Sequence, residues 1–383
     1  MEIEVLKSLF IKHKERSLFG RYIHSEHIEP LLTNLPKAFK VDVIGQSINH
    51  QNIYSITIGS GSEKVLMWSQ MHGNESTTTK AIFDLLNTLQ DDSKVSQAIL
   101  NHFTLVIIPI LNPDGAAFYT RLNANLVDLN RDAQQQSQPE SKALKACFDT
   151  FKPNYCFNLH GQRTIFSAGP YNKVATLSFL SPAQDKERSV TKTRAIAMAV
   201  INRMTKSLHK EIPEQVGIYD DSFNINCVGD TFQALNVPTI LFEAGHYKDD
   251  YDREEVRRLV YQSYIMALNA IMLNDFDDSD VEDYLKTPKN DKLFSDILIT
   301  NARFDTSVMD VAIQYEEQLI GNTIDFIPKV VKIEKAIFGF GHKTINANGN
   351  YVYSSDNTPL KMGMTVNTVV VNNEVLSLKL GNN

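Results

Sequence analysis

The chain has 383 residues, 43% of them hydrophobic and 22% charged, enough apolar material for at least one sizeable core and too much for a disordered or fibrous protein. At roughly 100–200 residues per domain, the length fits one large domain with an appendage, or two to three domains. Lys and Arg number 38 against 45 Asp and Glu, a formal net charge of −7, which argues against nucleic acid as a partner held by phosphate neutralisation.

The opening stretch, MEIEVLKSLFIKHKERSLFG, carries Glu2 and Glu4 and reaches no apolar run of signal-peptide length before Lys12 to Arg16. The longest clean apolar run, Leu105 to Leu111, is far shorter than the ~20 residues of a bilayer span, so no membrane partner is expected. Cys147, Cys156 and Cys227 have no metal-like spacing, and an odd number suits a reducing compartment. All three read as buried small hydrophobes, and the protein is expected to be cytoplasmic.

Four short apolar runs predict strands buried on both faces: Val65 to Trp68, Leu105 to Leu111, Tyr155 to Leu159 and Thr239 to Phe242. Each ends abruptly in polar or ionisable residues, respectively Gln-Met-His-Gly-Asn-Glu, Asn-Pro-Asp-Gly, His-Gly-Gln-Arg and Glu-Ala-Gly-His. Between and after them lie stretches of helical spacing: Ile82 to Leu89, Leu144 to Phe151, Ala197 to Leu208 and Val256 to Ile271. Strand then helix, repeated, predicts an α/β sheet covered on both sides. Ligands of such sheets bind beyond the carboxyl ends of the strands, so the four polar run-outs are expected to converge in one site.

Residues 274 to 280, Asn-Asp-Phe-Asp-Asp-Ser-Asp, and the Pro- and Lys-rich stretch to Lys292 mark a boundary. Beyond it β-type alternation takes over at Val330 to Phe340, Tyr351 to Tyr353, Thr365 to Val371 and Val375 to Leu380, with a hairpin around Asn372-Asn373. Two domains are expected, a catalytic one over 1–280 and a small β-rich accessory one over 290–383. No internal repeat interrupts this division, and nothing in it sets an oligomeric state.

His72 and Glu75 stand three residues apart after a buried strand, where Ser76 to Thr79 can cap the next helix, and His160 ends another strand with Gly161 leaving room beside it. Two His and one Glu form the protein ligand set of a catalytic zinc that keeps a fourth position for water. Asp128, Asn130 and Arg131 lie in Val-Asp-Leu-Asn-Arg-Asp, with Arg121 upstream in Tyr-Thr-Arg-Leu-Asn. A guanidinium is a permanently charged planar donor suited to a carboxylate or an oxyanion. Glu243 closes a buried strand, where an ionisable group must be paired or have its pKa moved for a purpose, and near a metal-activated water it would serve as general base and then acid. Asn112-Pro113-Asp114-Gly115 reads as a turn without chemistry of its own.

The order His-x-x-Glu, Asn-Pro-Asp-Gly, Thr-Arg, Val-Asp-Leu-Asn-Arg, strand-His, strand-Glu resembles the zinc carboxypeptidase family, of the carboxypeptidase A type, over roughly residues 41 to 270. Val43 to Ser47 and Ile53 to Gly59 resemble that family's first hairpin. The resemblance implies a mixed, mostly parallel central sheet with helices on both faces, to which this chain adds the small C-terminal β-rich module. It also implies one Zn2+ per chain on His72, Glu75 and His160, and Glu243 as the catalytic carboxylate. Arg121 would stabilise the oxyanion, Asn130 and a buried Arg131 would hold the substrate's terminal carboxylate, and Asp128 would orient His72. Tyr219, in Gly-Ile-Tyr-Asp-Asp, is the nearest counterpart of the family's mobile substrate-binding tyrosine. After Arg131 the family often continues with Asn and an aromatic, whereas this chain reads Asp132-Ala133-Gln134-Gln135-Gln136. Arg163 either recognises a substrate anion or, the favoured reading, is a solvated surface residue, and His246 and Tyr247 either line the pocket or pack structurally.

The resulting expectation is a zinc metallocarboxypeptidase that hydrolyses the amide bond before a peptide's C-terminal residue. Two other hydrolases share the motifs: an acyl-amino-acid amidohydrolase resembling the succinylglutamate desuccinylase and aspartoacylase group, and a murein-peptide amidase. A non-catalytic binding protein is the alternative from another class, and it would have no use for a buried base beside a metal.

Overall fold

The computed structural model describes residues 2–380. The chain divides into two compact units: 1–162 with 175–290, and 163–174 with the chain from Asp291 on. The excursion 163–174, expected within the catalytic domain over 1–280, thus groups with the C-terminal unit.

In the first unit the apolar runs are strands of an eight-stranded sheet, in the spatial order Lys40–Gln46, Asn52–Ile58, Phe103–Ile108, Glu63–Trp68, Tyr155–Gly161, Thr239–Ala244, Leu177–Leu180, Val216–Ile218. The four central strands are mutually parallel. The first hairpin is antiparallel, with a bulge between Val43 and Gly45, and Leu177–Leu180 runs antiparallel to Thr239–Ala244, so the sheet is mixed as expected. Period-two alternation assigns the faces. Val65 and Met67 join one core with the helices Thr77–Leu89, Lys192–Leu208 and Glu254–Leu273, while Leu66 and Trp68 join another with Pro139–Phe151 and Val228–Ala234. Among the described residues no helix is long and apolar enough to cross a membrane.

Charges buried beneath the first core hold the N-terminal segment down. Arg257 and Asp84, both fully buried, make a bidentate pair, Nε to Oδ2 at 2.7 Å and Nη2 to Oδ1 at 2.6 Å. The same guanidinium donates to the carbonyls of Leu18 and Glu15 at 2.6 and 2.7 Å.

Asn112-Pro113-Asp114-Gly115 opens a short helix, Pro113–Phe118, in which the Asn112 side chain accepts from the Gly115 N–H. Asp114 is fully buried and accepts from Ser47 Oγ, the Asn49 N–H and Gln51 Nε2, which pins the tip of the first hairpin. Gly115 also receives Gly73 from the neighbouring strand end: a Cβ on Gly73 would lie 1.9 Å from the Gly115 carbonyl carbon and 2.1 Å from the Ala116 nitrogen. Backbone on both sides leaves nothing flexible to yield. Gly73→Ala is therefore expected to cost about 1–3 kcal/mol, measured by chemical denaturation, and to displace His72 beside it.

The second unit carries a four-stranded sheet, ordered Thr323–Glu334, Ser307–Ile320, Phe294–Phe304, Phe340–Asn346, and a three-stranded one of Val352–Ser354, Thr368–Val371 and Glu374–Ser377. Its core includes Ile297, Ile299, Val311, Ile313, Val330 and Val369. The Asn372-Asn373 hairpin forms as expected: Val371 pairs with Glu374 and both asparagines have positive φ, 51° and 63°. The expected continuous alternation from Val330 to Phe340 is instead broken after Glu334, where the Ile337 N–H binds Asp310 and the chain turns to pair parallel with Phe294–Phe304.

Candidate active site

Strand ends and three loops deliver the expected residues. After Trp68 the backbone turns through Gln70, a buried non-glycine residue with φ of 44°. That left-handed conformation costs about 1–2 kcal/mol. Its side chain offsets this by donating to the carbonyls of Ile23 and Gly73 at 2.9 and 2.7 Å and accepting from Thr79 Oγ1 at 2.7 Å. The turn carries His72 and Glu75 over the sheet's carboxyl edge, and the Ser76 hydroxyl ties it to the Arg21 carbonyl.

There His72 Nδ1 lies 2.9 Å from Glu75 Oε1, and His160 Nδ1 lies 2.9 Å from Glu75 Oε2 and 3.1 Å from His72 Nδ1. The Gly161 N–H also donates to Glu75, at 3.0 Å. This N–H, more than open space, is what Gly161 contributes, since an added Cβ would meet Glu75 at an ordinary 3.5 Å. His72 Nε2 faces Asp128 Oδ1 at 3.1 Å. An Nε2–H donated to that carboxylate leaves the Nδ1 lone pair aimed at a carboxylate oxygen and a second imidazole nitrogen. Lone pairs so converged call for a cation between them. The donor set, two imidazoles and a carboxylate with all ligand atoms within 4.8 Å of one another, fits a divalent metal of zinc's preferences.

Asp128 and Arg121 form the next layer. Arg121 donates Nε and Nη2 to Asp128 Oδ2 at 3.2 and 3.1 Å, and its Nη1 lies 3.2 Å from His72 Nδ1 and 3.4 Å from Glu75 Oε1, with the side chain 46% exposed. Burial raises the Asp128 pKa, but the His72 hydrogen bond and the His72 and Arg121 charges outweigh it and hold the carboxyl well below the ordinary range. Glu75 is held low in the same way, burial being outweighed by the facing histidines.

Glu243 stands opposite His160 in the parallel register. It is 9% exposed, and its Oε2 is buried without a hydrogen-bond partner. Burial, then the Glu75 charge, push its carboxyl well above the ordinary range, against the pull of Arg121 and Arg253. A buried carboxylate of raised basicity with an uncommitted oxygen is what a general base needs. Tyr219 follows the edge strand, half-buried, its phenol pushed up by burial and by the charges of Glu243 and Glu75, which puts it within electrostatic reach of both.

Asn130 and Arg131 sit in the adjoining loop and touch none of the three histidine and glutamate ligand candidates through a described hydrogen bond. The Asn130 amide oxygen accepts from the Val228 N–H at 3.0 Å, a bond that leaves the NH2 side as donor. Arg131 is exposed rather than buried as expected, because the loop ends in a single 3-10 turn at the surface. Its Nη1 donates to the Asn130 carbonyl at 2.7 Å and to Cys227 Sγ at 3.1 Å. Cys227, like Cys147, is therefore only half-buried, and Cys156 alone of the three is the fully buried hydrophobe expected. His246 is buried and packs its ring 4.8 Å from that of Tyr251.

Two contributors carried no usable signal. Gln70 matters through a backbone conformation, and Arg253, in Asp-Tyr-Asp-Arg-Glu-Glu, has the texture of a solvated helix start although it is 1% exposed.

A mixed sheet with this cluster at its carboxyl edge defines the architecture of a metallo-carboxypeptidase-like α/β protein. Residues 25–132 match the family model for zinc carboxypeptidase, the stretch that holds His72, Glu75, Arg121, Asp128, Asn130 and Arg131, so the family resemblance of the motifs is shown there. Carboxypeptidase SOL1 of Arabidopsis thaliana is 31% identical over 137 residues, covering 31% of this chain and 28% of that protein. Carboxypeptidase 2 of Trichophyton rubrum is 29% identical over 101 residues, 26% of this chain and 19% of that protein. The chain thus spans less than a third of the length of these curated relatives. In fold it is similar to a metallo-carboxypeptidase from Burkholderia cenocepacia, with a TM-score of 0.54 at 15% identity over 66% of this chain and 70% of that one. It is likewise similar to carboxypeptidase A from Helicoverpa armigera, with a TM-score of 0.53 at 16% identity over 71% and 81%.

Proposed function

We propose that the chain is a zinc-dependent amide hydrolase that removes the C-terminal residue of a peptide. The observation that carries the reading is the pairing of His160 and Glu243 side by side on parallel strands, one facing the His72–Glu75 turn and the other an uncommitted buried carboxylate. A single zinc held by His72, Glu75 and His160 would supply Lewis acidity, polarising the scissile carbonyl and acidifying water. Glu243 takes the proton from the attacking water and returns it to the leaving amine. Arg121, half-exposed and already beside the cluster, donates to the developing oxyanion. Asp128 keeps His72 in the tautomer that presents Nδ1, and Tyr219 closes over the bound residue.

The purified protein is expected to hold close to one zinc per chain by elemental analysis, and His160→Ala to lose it. Undiminished zinc in that variant would remove His160 from the site.

Asn130 and Arg131 are assigned to the substrate's free carboxylate, a charge-assisted contact at an exposed guanidinium. A peptide acid is accordingly expected to be cleaved roughly 10–100-fold better in kcat/KM than its C-terminal amide, and Arg131→Ala to narrow that ratio by weakening the acid. Equal cleavage of acid and amide by the wild type would redirect the assignment to an acyl-amino-acid amidohydrolase or a murein-peptide amidase, with Arg131 serving another anion.

A further inference from the structure

His160 and Glu243 sit near the ends of two parallel strands, where the pairing runs His160 with Glu243 and then Gly161 with Ala244. Beyond those pairs one more main-chain hydrogen bond joins the two chains, the Gln162 N–H donating to the Ala244 carbonyl at 2.9 Å, and the strand pairing ends there. The Ala244 carbonyl follows Glu243 by one residue, the Gln162 carbonyl follows His160 by two, and both residues are buried. Arg253 braces this last link, donating Nη1 to the same Ala244 carbonyl at 2.8 Å and Nη2 to the Gln162 carbonyl at 3.1 Å.

Its delivery there depends on the turn before the last long helix. Asp250 takes the N–H groups of Glu254, Glu255 and Val256 on its carboxylate at 2.8, 2.9 and 2.9 Å, so it caps the helix in place of the residue that immediately precedes it. Arg253 occupies that preceding position with φ of 59°, a left-handed conformation that a side chain disfavours, and is 1% exposed. A permanently charged group is buried in a strained backbone so that two main-chain carbonyls receive two donors from one rigid plane.

We propose that Arg253 is a positioning residue of the hydrolytic site, its planar fork setting the spacing between the strand end that presents His160 and the one that presents Glu243. The proposal rests on the roles given above to those two residues. A lysine at this place would keep the charge but could not supply two donors in a fixed plane.

The test compares Arg253→Met, Arg253→Lys and Arg253→Ala with the wild type for zinc affinity by chelator competition, for kcat and KM on a peptide acid, and for thermal stability. Loss of the fork is expected to lower zinc affinity roughly 10–100-fold, as removal of groups that orient metal ligands does. It is also expected to lower kcat by about 100-fold with KM little changed, since a small misplacement of base against ligand is enough. Lysine should not restore either quantity, whereas millimolar guanidinium added to Arg253→Ala should restore both and methylammonium should not. Wild-type zinc affinity and kcat in a folded Arg253→Met or Arg253→Lys would overturn the proposal, as would equal rescue by lysine or methylammonium, which would mean charge alone matters. If Arg253→Met fails to fold, Arg253→Lys decides by itself. A wild type without zinc would instead defeat the metallohydrolase reading, and a fully active Glu243→Gln the base assignment, while the effect of Arg253 on zinc affinity is read without turnover.

Discussion

Glu243→Gln is expected to fold, bind zinc as the wild type does, and lose turnover by about 10²–10⁴-fold. The substitution conserves shape and removes only the proton acceptor. The wild-type carboxylate has an unpartnered buried oxygen and is already pushed up by its burial and by Glu75, so the protein is adapted to holding it without a counter-charge in contact. Replacing it with a neutral amide relieves that desolvation, and stability should hold or rise slightly. The loss should appear in kcat rather than KM, because the base acts only as the proton moves. A variant that hydrolyses a confirmed substrate at the wild-type rate would require another base.

The largest effect on stability is expected at Arg257. Removing its guanidinium leaves the Asp84 carboxylate with no exposed surface and no counter-charge, and the carbonyls of Leu18 and Glu15 lose their donors. Breaking such a pair from one side costs about 3–5 kcal/mol, so Arg257→Ala should lower Tm by roughly 10 °C, measured by calorimetry. The pH dependence has a definite sign. Burial already pushes the Asp84 carboxyl above its ordinary value, with Arg257 pulling it down. Without Arg257 its folded pKa rises further, so the folded state then holds a proton that the unfolded state releases. The variant should therefore be most nearly normal at acid pH and lose stability as pH rises from the unfolded carboxylate pKa toward the folded one. The double variant Asp84→Leu, Arg257→Met, which removes both charges, should recover most of the loss. A single-variant loss below about 1 kcal/mol at neutral pH would show that the pair is not a structural anchor.

The His72–Glu75–His160 group and the four central strands were legible in the sequence because each signal is local. A strand buried on both faces needs an apolar stretch, and each of the four holds one: Val65 to Trp68, Leu105 to Ile108, Tyr155 to Phe157 and Ile240 to Phe242. An ionisable side chain is conspicuous where such a stretch stops, as His160 and Glu243 are at their strand ends and His72 is just past Trp68. The long strands Phe294–Phe304 and Ser307–Ile320 carry a weaker sequence signal because solvent reaches one face of much of their length, which mixes Asn301, Arg303, Glu316 and Glu317 into the alternation.

Burial of individual charges is a different kind of property. Arg131 and Arg253 are the same residue type in similarly polar sequence surroundings, yet one lies on a surface loop bonding to Cys227 and the other lies under two strand ends. Sequence determined by itself which strands form the centre of the sheet and that His72, Glu75, His160 and Glu243 follow or end them, since composition and period are written along the chain. Only the tertiary structure decided which arginine is desolvated, how Gln70 and Gly73 turn His72 over the sheet edge, and that 163–174 groups with the C-terminal unit. Those outcomes depend on what segments distant along the chain, such as Gly73 and Gly115, leave for one another to fill.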